Sequence, residues 1–225
     1  MEVGGALDGR PPAGRRRGGR NGRLDRLGLV AGTEGNLSVR LGPDRILITP
    51  SGVPKGRLDG ADLVILELDE EQGVRSEQRG PRGLPPSSEY RMHAALYARG
   101  EAGAVVHAHP PYATAFAAAG LGLDPPAVAE QPVLLGPVPL LPFALPSTEA
   151  LARVVEQLPA DCRAFLLAGH GAATLAADLA GAMARMETLE SCARITFLAR
   201  LLDPDAALTD EQLRALRQLA GGEGR

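Results

Sequence analysis

The stretch AVVHAHPPYATAFA, residues 104–117, puts two histidines two positions apart at the end of an apolar run. Its first residues have the composition of a short buried strand, and the prolines that follow stop the strand. Alternate strand residues project to one face with Cα atoms roughly 6.6–7 Å apart, so the imidazoles of His107 and His109 can converge on one ion. The chain has four histidines. His170 lies in LLAGHGAA (166–173), another strand end, where flanking glycines let the backbone turn sharply and leave room for a ligand. Three histidines with one open position form the pattern of a catalytic divalent site, whereas structural zinc is closed by four ligands and usually uses cysteine. His93 falls inside a helix and reads as a packed or surface residue.

Working outward, LGLVAGTEGNLSVRL (27–41) is a turn cluster followed by alternation at Leu37, Val39 and Leu41, a strand. RILITPSG (45–52) reads as its partner and LVILEL (63–68) as a third strand, while EEQGVRSEQRGPRGLPP (70–86) reads as a long polar connection. SSEYRMHAALYARG (87–100) carries a helix signature of capping serines, an early acid and a terminal glycine. Proline is too frequent in QPVLLGPVPLLPFALP (131–146) for a helix, which leaves short or edge strands. STEALARVVEQL (147–158) is helical, and AFLLAGHG (164–171) is a strand entering a tight turn. A long helix follows, with Leu179, Met183, Met186, Leu189, Ala193 and Phe197 on one face. A capping box, TDEQ (209–212), opens the last helix. Strands and helices mix without a fixed repeat or a dinucleotide fingerprint, so the fold class is α/β but no ordinary Rossmann unit.

At 225 residues and a net charge of -3, the chain supports one substantial core and offers no general field for nucleic acid or an anionic membrane, despite seven arginines in its first 26 residues. Residues 1–23, rich in Gly, Pro and Arg, are expected to form a disordered leader, with the folded domain over 24–225. No apolar stretch approaches the roughly 18 residues of a membrane span, and a cytoplasmic location is expected. Cys162 and Cys192 read as buried thiols. The one lysine, Lys55, against 23 arginines, lies in a polar loop and reads as solvated.

Three short motifs admit two readings each. GTEGNLS (32–38) and TPSG (49–52) are either plain turns or cradles that aim amides and small polar side chains at an anion. Ser87 and Ser88 either cap the following helix or hold a phosphate against its positive end. Glu89 is favoured there by the helix dipole, and beside a divalent ion it would also serve as a proton shuttle.

Taken in order, GTEGNLSVR, ILITPSGVPKGRL, SSEYRMHAALY, AVVHAHPPYATA and LLAGHGAATLAADLAGAMARMETLE resemble the class II aldolase/adducin family over roughly residues 28–202. The branch resembled most is the one that cleaves L-fuculose 1-phosphate. The resemblance implies a three-layer α/β/α sandwich around a mainly antiparallel sheet, in a homotetramer with active sites near subunit interfaces. It implies zinc or another divalent ion on His107, His109 and His170, with Glu89 as catalytic acid/base. The phosphate pocket it implies is Thr33, Gly35, Asn36, Ser51, Gly52, Ser87 and Ser88, and the reaction is cleavage of a ketose 1-phosphate to dihydroxyacetone phosphate and an aldehyde.

Two features depart from that branch. Its tyrosines after the metal strand and near the C-terminus have no counterpart among Tyr90, Tyr97 and Tyr112; near the first lies Glu130, a candidate proton-transfer residue close to the catalytic glutamate of the methylthioribulose-1-phosphate dehydratase branch. The family's helix before GLVAGTEGN is replaced by the Arg/Gly leader. L-ribulose-5-phosphate 4-epimerase, the dehydratase and a non-enzymatic adducin-like scaffold are the alternative readings.

Overall fold

In the computed structural model, residues 21–69, 73–100 and 102–222 are described, so most of the leader expected over 1–23 lies outside them. The strands are β1 (Asn36–Gly42), β2 (Arg45–Ile48), β3 (Val64–Asp69), β4 (Gly73–Arg79), β5 (Ala104–Ala108), β6 (Leu140–Leu141), β7 (Ala164–Leu167) and β8 (Gly171–Ala176). The helices are α1 (Asn21–Arg26), α2 (Tyr90–Ala98), α3 (Pro111–Ala118), α4 (Glu149–Glu156), α5 (Leu179–Leu202) and α6 (Asp210–Gly222). The strands make one sheet in the order β4-β3-β2-β1-β5-β8-β7-β6. Every pairing is antiparallel except β6 with β7.

Two apolar layers cover this sheet, and the alternation of its central strands divides them. From β5 and β7, Ala104, Val106, Ala108, Ala164 and Leu166 join the core under α3 and α5. Val105, Phe165 and Leu167 point the other way, into the core under α2 and α4 with Met92, Leu96, Leu151 and Val155. The molecule is therefore the expected three-layer α/β/α sandwich. Among the described residues no helix is long and apolar enough to cross a membrane.

Several elements differ from expectation for identifiable reasons. α1 begins within the last three positions assigned to the leader: Leu24 is fully buried and Arg23 pairs with Glu187 of α5 at 2.6 Å. Tertiary contact, not a hydrophobic period, thus holds this short helix. The connection 70–86 contains β4, a polar edge strand whose pairing to β3 comes from the backbone, with Ser76 bonded to Glu67 at 2.8 Å. β8 had no strand signature, because its small apolar residues are buried on both faces and show no alternation. On α5 the expected stripe is buried at Met183, Met186, Leu189 and Ala193, but Phe197 is exposed and its ring lies 5.7 Å from that of Tyr112. Cys192 is buried as expected while Cys162 is half-buried, and both are free thiols. The capping box holds: Thr209 N–H donates to Gln212 Oε1 at 2.8 Å and Gln212 N–H to Thr209 Oγ1 at 3.3 Å.

Leu166 is wholly buried between the sheet and the α3/α5 layer. Leu166→Ala should destabilise the protein by about 3 kcal/mol through lost transfer energy and a residual cavity, read as a fall in the urea midpoint at unchanged slope.

Candidate active site

The alternation that divides the cores also places the site. His107 lies between Val106 and Ala108, so its side chain leaves the sheet on the α2 face; in register beside it on β1 is Asn36. Ser38, two residues along β1, shares that face. α2 lies over them, presenting Glu89 and His93 four residues apart and one above the other. His109 follows the end of β5, and His170 sits in the turn from β7 to β8. Gly171 lets the two ends approach: a Cβ there would lie 2.6 Å from His109 Cδ2 and 2.7 Å from the Ala108 carbonyl oxygen.

One ligand atom from each of His107, His109 and His170 lies within 4.8 Å of the other two. His107 Nδ1 donates to the Ala172 carbonyl at 2.9 Å and His109 Nδ1 to Glu34 Oε2 at 2.9 Å, which leaves each Nε2 as a lone pair. Those two atoms nevertheless face each other at 3.3 Å, and His107 Nε2 is 3.1 Å from Glu89 Oε2. Glu89 Oε1 is 3.2 Å from His170 Nε2 without an aligned hydrogen bond, and His170 Nδ1 is buried without a partner. Acceptors turned toward one another need protons or a cation between them. Burial, augmented by His107, lowers the pKa of His109 and takes that of His170 down to about 4, which keeps both available as neutral donors of electron pairs. Three imidazoles and a carboxylate around one point fit a divalent cation.

Burial would raise the Glu89 carboxyl, but His107, His170 and the Asn36 amide outweigh it and hold the group well below the usual carboxylate range. Asn36 Nδ2 donates to Glu89 Oε2 at 2.8 Å, and its Oδ1 takes the Nε2 proton of His93 at 2.5 Å. His93 Nδ1 must then accept from Ser38 Oγ, 2.6 Å away, and Ser38 Oγ accepts from Tyr97 at 2.9 Å. His93 is thus neither simple packing nor a surface residue. With Ser38 and Glu34, it is one of the site residues that motif reading passed over; the available signals were its i+4 spacing from Glu89 and an acid between the two glycines of GTEG.

A cleft of about 300 Å³ opens beside this cluster, lined by Thr33, Gly35, Asn36, Ser51, Gly52, Ser87, Ser88, Glu89, His109 and His170 among others. The structure thus brings the expected phosphate residues to one place. The turns are stitched together: Ser51 N–H donates to the Pro85 carbonyl at 3.1 Å and Ser87 N–H to the Thr49 carbonyl at 3.0 Å. Gly35 has φ +70°, and a Cβ there would lie 3.0 Å from the His107 carbonyl oxygen. A larger cavity of about 700 Å³, lined in part by Arg40, Arg91 and Glu149, holds none of the histidines; convergent chemistry, not volume, identifies the site.

Two expectations need correction. Lys55 is not solvated: it is 1 % exposed and lines the cleft, because its stem crosses from the short turn Lys55–Arg57 to the backbone of GTEG and TPSGV. Glu130 is exposed, does not line the cleft, and lies near Cys192 on the α5 side of the sheet. The turn Gln131–Leu135 packs on α5 and α6 and holds it there.

His109→Ala should abolish metal retention, measured as metal content after dialysis of zinc-loaded protein; a full complement would show that the cluster is not the metal site. In metal-free protein, burial depresses His93 to about 3 and His170 to about 4, from the 6.5 of an exposed imidazole. The unfolded chain therefore binds more protons below pH 6.5, so this stability is present above 6.5 and lost as pH falls, by at most about 1.4 kcal/mol per pH unit per histidine. Urea midpoints measured from pH 7 to pH 5 check this, and a flat profile would contradict it.

Residues 20–197 match the class II aldolase and adducin N-terminal domain. Among curated relatives, 3-oxo-tetronate 4-phosphate decarboxylase of Haemophilus influenzae is 33% identical over 176 residues, covering 76% of this chain and 80% of the relative. L-fuculose phosphate aldolase of Escherichia coli is 35% identical over 195 residues, covering 84% and 85%. The crystal structure of YgbL from Escherichia coli superimposes with a TM-score of 0.78 at 32% identity, over 88% of this chain and 93% of that one. With the family domain covering most of its length, the chain belongs to the class II aldolase/adducin family.

Proposed function

We propose that the chain is a zinc-dependent carbon–carbon lyase that cleaves a ketose 1-phosphate, L-fuculose 1-phosphate being the first candidate, to dihydroxyacetone phosphate and an aldehyde. It works in the cytoplasm as a homotetramer. The observation that carries this reading is the convergence of His107, His109, His170 and Glu89 beside a cleft walled by GTEG, TPSG and the two serines. The exposed leucines at the end of α5, with Leu202 90 % accessible, support burial between subunits.

In this reading Thr33, Gly35, Ser51, Gly52, Ser87 and Ser88 hold the phosphate and so fix where the carbonyl lies. A divalent cation on the three histidines supplies Lewis-acid stabilisation of the negative charge that develops on the substrate oxygens. Cleavage breaks C3–C4; the C4 hydroxyl passes its proton to solvent as the aldehyde forms, and the electron pair remains on C3 of the enediolate. Glu89 delivers a proton to that carbon, or removes it in the reverse direction. Asn36 fixes the carboxylate's orientation, while His93 fixes that of Asn36. A Schiff-base mechanism would require Lys55, whose ammonium donates to two backbone carbonyls and is held as a cation, not a free nucleophile.

A second reading is favoured by one feature of the cleft. Among its described lining residues there is no tyrosine; Tyr97 is buried on Ser38 and Tyr112 lies against Phe197. Loss of carbon dioxide from a 3-oxo-tetronate 4-phosphate needs no proton transfer at a departing aldehyde. It leaves the same enediolate of dihydroxyacetone phosphate for Glu89 to protonate.

Zinc-loaded protein should therefore exchange a hydroxymethyl-carbon hydrogen of dihydroxyacetone phosphate with deuterium oxide, followed by proton magnetic resonance. Glu89→Gln should keep its metal and lose exchange by about 100-fold or more. Supplying L-fuculose 1-phosphate and 3-oxo-tetronate 4-phosphate separately then divides the readings by their second product, aldehyde or carbon dioxide. Absence of exchange by metal-loaded wild type would falsify both.

A further inference from the structure

Lys55 takes no part in the chemistry above, and its surroundings are unusual for a lysine. The side chain is 1 % exposed. Its Nζ donates to the Thr33 carbonyl at 2.9 Å and to the Val53 carbonyl at 3.0 Å. These carbonyls belong to the two turns, GTEG and TPSGV, whose other residues line the cleft. Among the described residues no carboxylate lies within 4.0 Å of Nζ. Carbonyl dipoles solvate an ammonium in part but do not neutralise it, so a full positive charge is buried without a counterion.

We propose that Lys55 is the counter-charge of the substrate phosphate: an ammonium fixed between the two anion-binding turns, left unneutralised by the protein and completed when the phosphate enters. The proposal rests on the phosphate reading of the cleft and adds to it the residue that sets charge preference. Lys55 is a positioning residue, joining the turns through their carbonyls and biasing the cleft toward a dianion, with no nucleophilic role.

The charge environment gives this a sign. Charged and ionisable groups on the surrounding elements are Glu34 ahead of β1, Asp25 and Arg26 of α1, Arg57 on the same turn, and Glu89, His109 and His170 across the cleft. Asp25 packs against Gly56, beside Lys55 in sequence. Burial lowers the Lys55 pKa to about 8, and Glu34 offsets this only in part. An arriving dianion favours the charged amine and raises its pKa. Between pH 8 and the higher bound value, binding must take up a proton, and affinity must fall as pH rises. A phosphate monoester has its second pKa at about 6, so the ligand contributes no proton change at pH 8.5.

The test is calorimetric titration of the zinc-loaded full chain with glycerol 3-phosphate at pH 8.5, in buffers of differing ionisation enthalpy, with glycerol as the unphosphorylated control. Wild type should take up as much as about three-quarters of a proton per ligand bound, the share of Lys55 that is neutral at pH 8.5, and its affinity should fall severalfold from pH 8 to pH 9.5. Lys55→Met should keep its metal, bind glycerol 3-phosphate at least tenfold more weakly, and show no proton uptake. Lys55→Arg, which stays charged, should bind without uptake and without that pH dependence. If Lys55 only braced the turns, Lys55→Met would leave proton uptake unchanged, and the proposal would fall. Should Lys55→Met not fold, wild type still decides: binding without proton uptake overturns the role of Lys55 while leaving the phosphate pocket standing. Failure of wild type to prefer glycerol 3-phosphate over glycerol would overturn the phosphate reading itself.

Discussion

A strand buried on both faces must still send alternate side chains in opposite directions, and the site depends on that constraint at β5. Val106 and Ala108 go to the α3/α5 core, so His107 goes to the α2 side, where it is fully buried. The antiparallel register with β1 then fixes which residues stand beside it, Asn36 directly and Ser38 two positions along. A helix laid over that face presents residues at intervals of four, which brings Glu89 and His93 down together. Period two in the sheet and period 3.6 in the helix thus intersect at one buried point. A one-residue slip of β5 would send both histidines into the apolar layer.

Burying so many polar groups is unfavourable unless each has its partner. From Tyr97 to Glu89 the hydrogen bonds run in one direction, and every hydroxyl, imidazole and amide between them has a determined role. This network leaves His93 no freedom of tautomer and Asn36 no freedom to flip. It ends, however, in a carboxylate facing imidazole lone pairs, an arrangement stable only with positive charge at its centre. The order of the surrounding network makes that disorder of charge local, so the protein confines its unfavourable electrostatics to the place where chemistry requires them.

The histidine cluster was legible in the sequence because strong local patterns carry it, an apolar run interrupted by His-Ala-His and a glycine-flanked histidine, while those patterns gave only an α/β class and the layered sandwich came from the resemblance to the family. α1, β4 and β8 were not legible. α1 has too few residues for a period, β4 is a polar edge strand stabilised by backbone pairing, and β8 is built of small residues buried on both sides. Residue chemistry misled most at Lys55, where a polar loop suggested solvent but the backbone folds over the amine. Glu130 was misleading in another way, since its distance along the chain from the metal strand said nothing about which side of the sheet the Gln131–Leu135 turn occupies. Burial and side are properties of packing, which no short motif encodes.

On the proposed reading, two features of the cleft decide how a substrate lies in it: acceptors converge where His107 Nε2 faces Glu89, and the Lys55 ammonium is held between backbone carbonyls. A phosphorylated ketose would then lie with its dianion toward Lys55 and its hydroxyl and carbonyl oxygens toward the three histidines. The reversed orientation would set a phosphate beside the Glu89 carboxylate and leave the lysine unpaired, so like charges and desolvation both oppose it. The cleft is polar, with little apolar surface to grip a small sugar, and orientation here follows from electrostatics. On the proposed reading the phosphate and the nascent enediolate are the fixed parts of the substrate, and the departing group, aldehyde or carbon dioxide, is the part on which neither charge makes a demand.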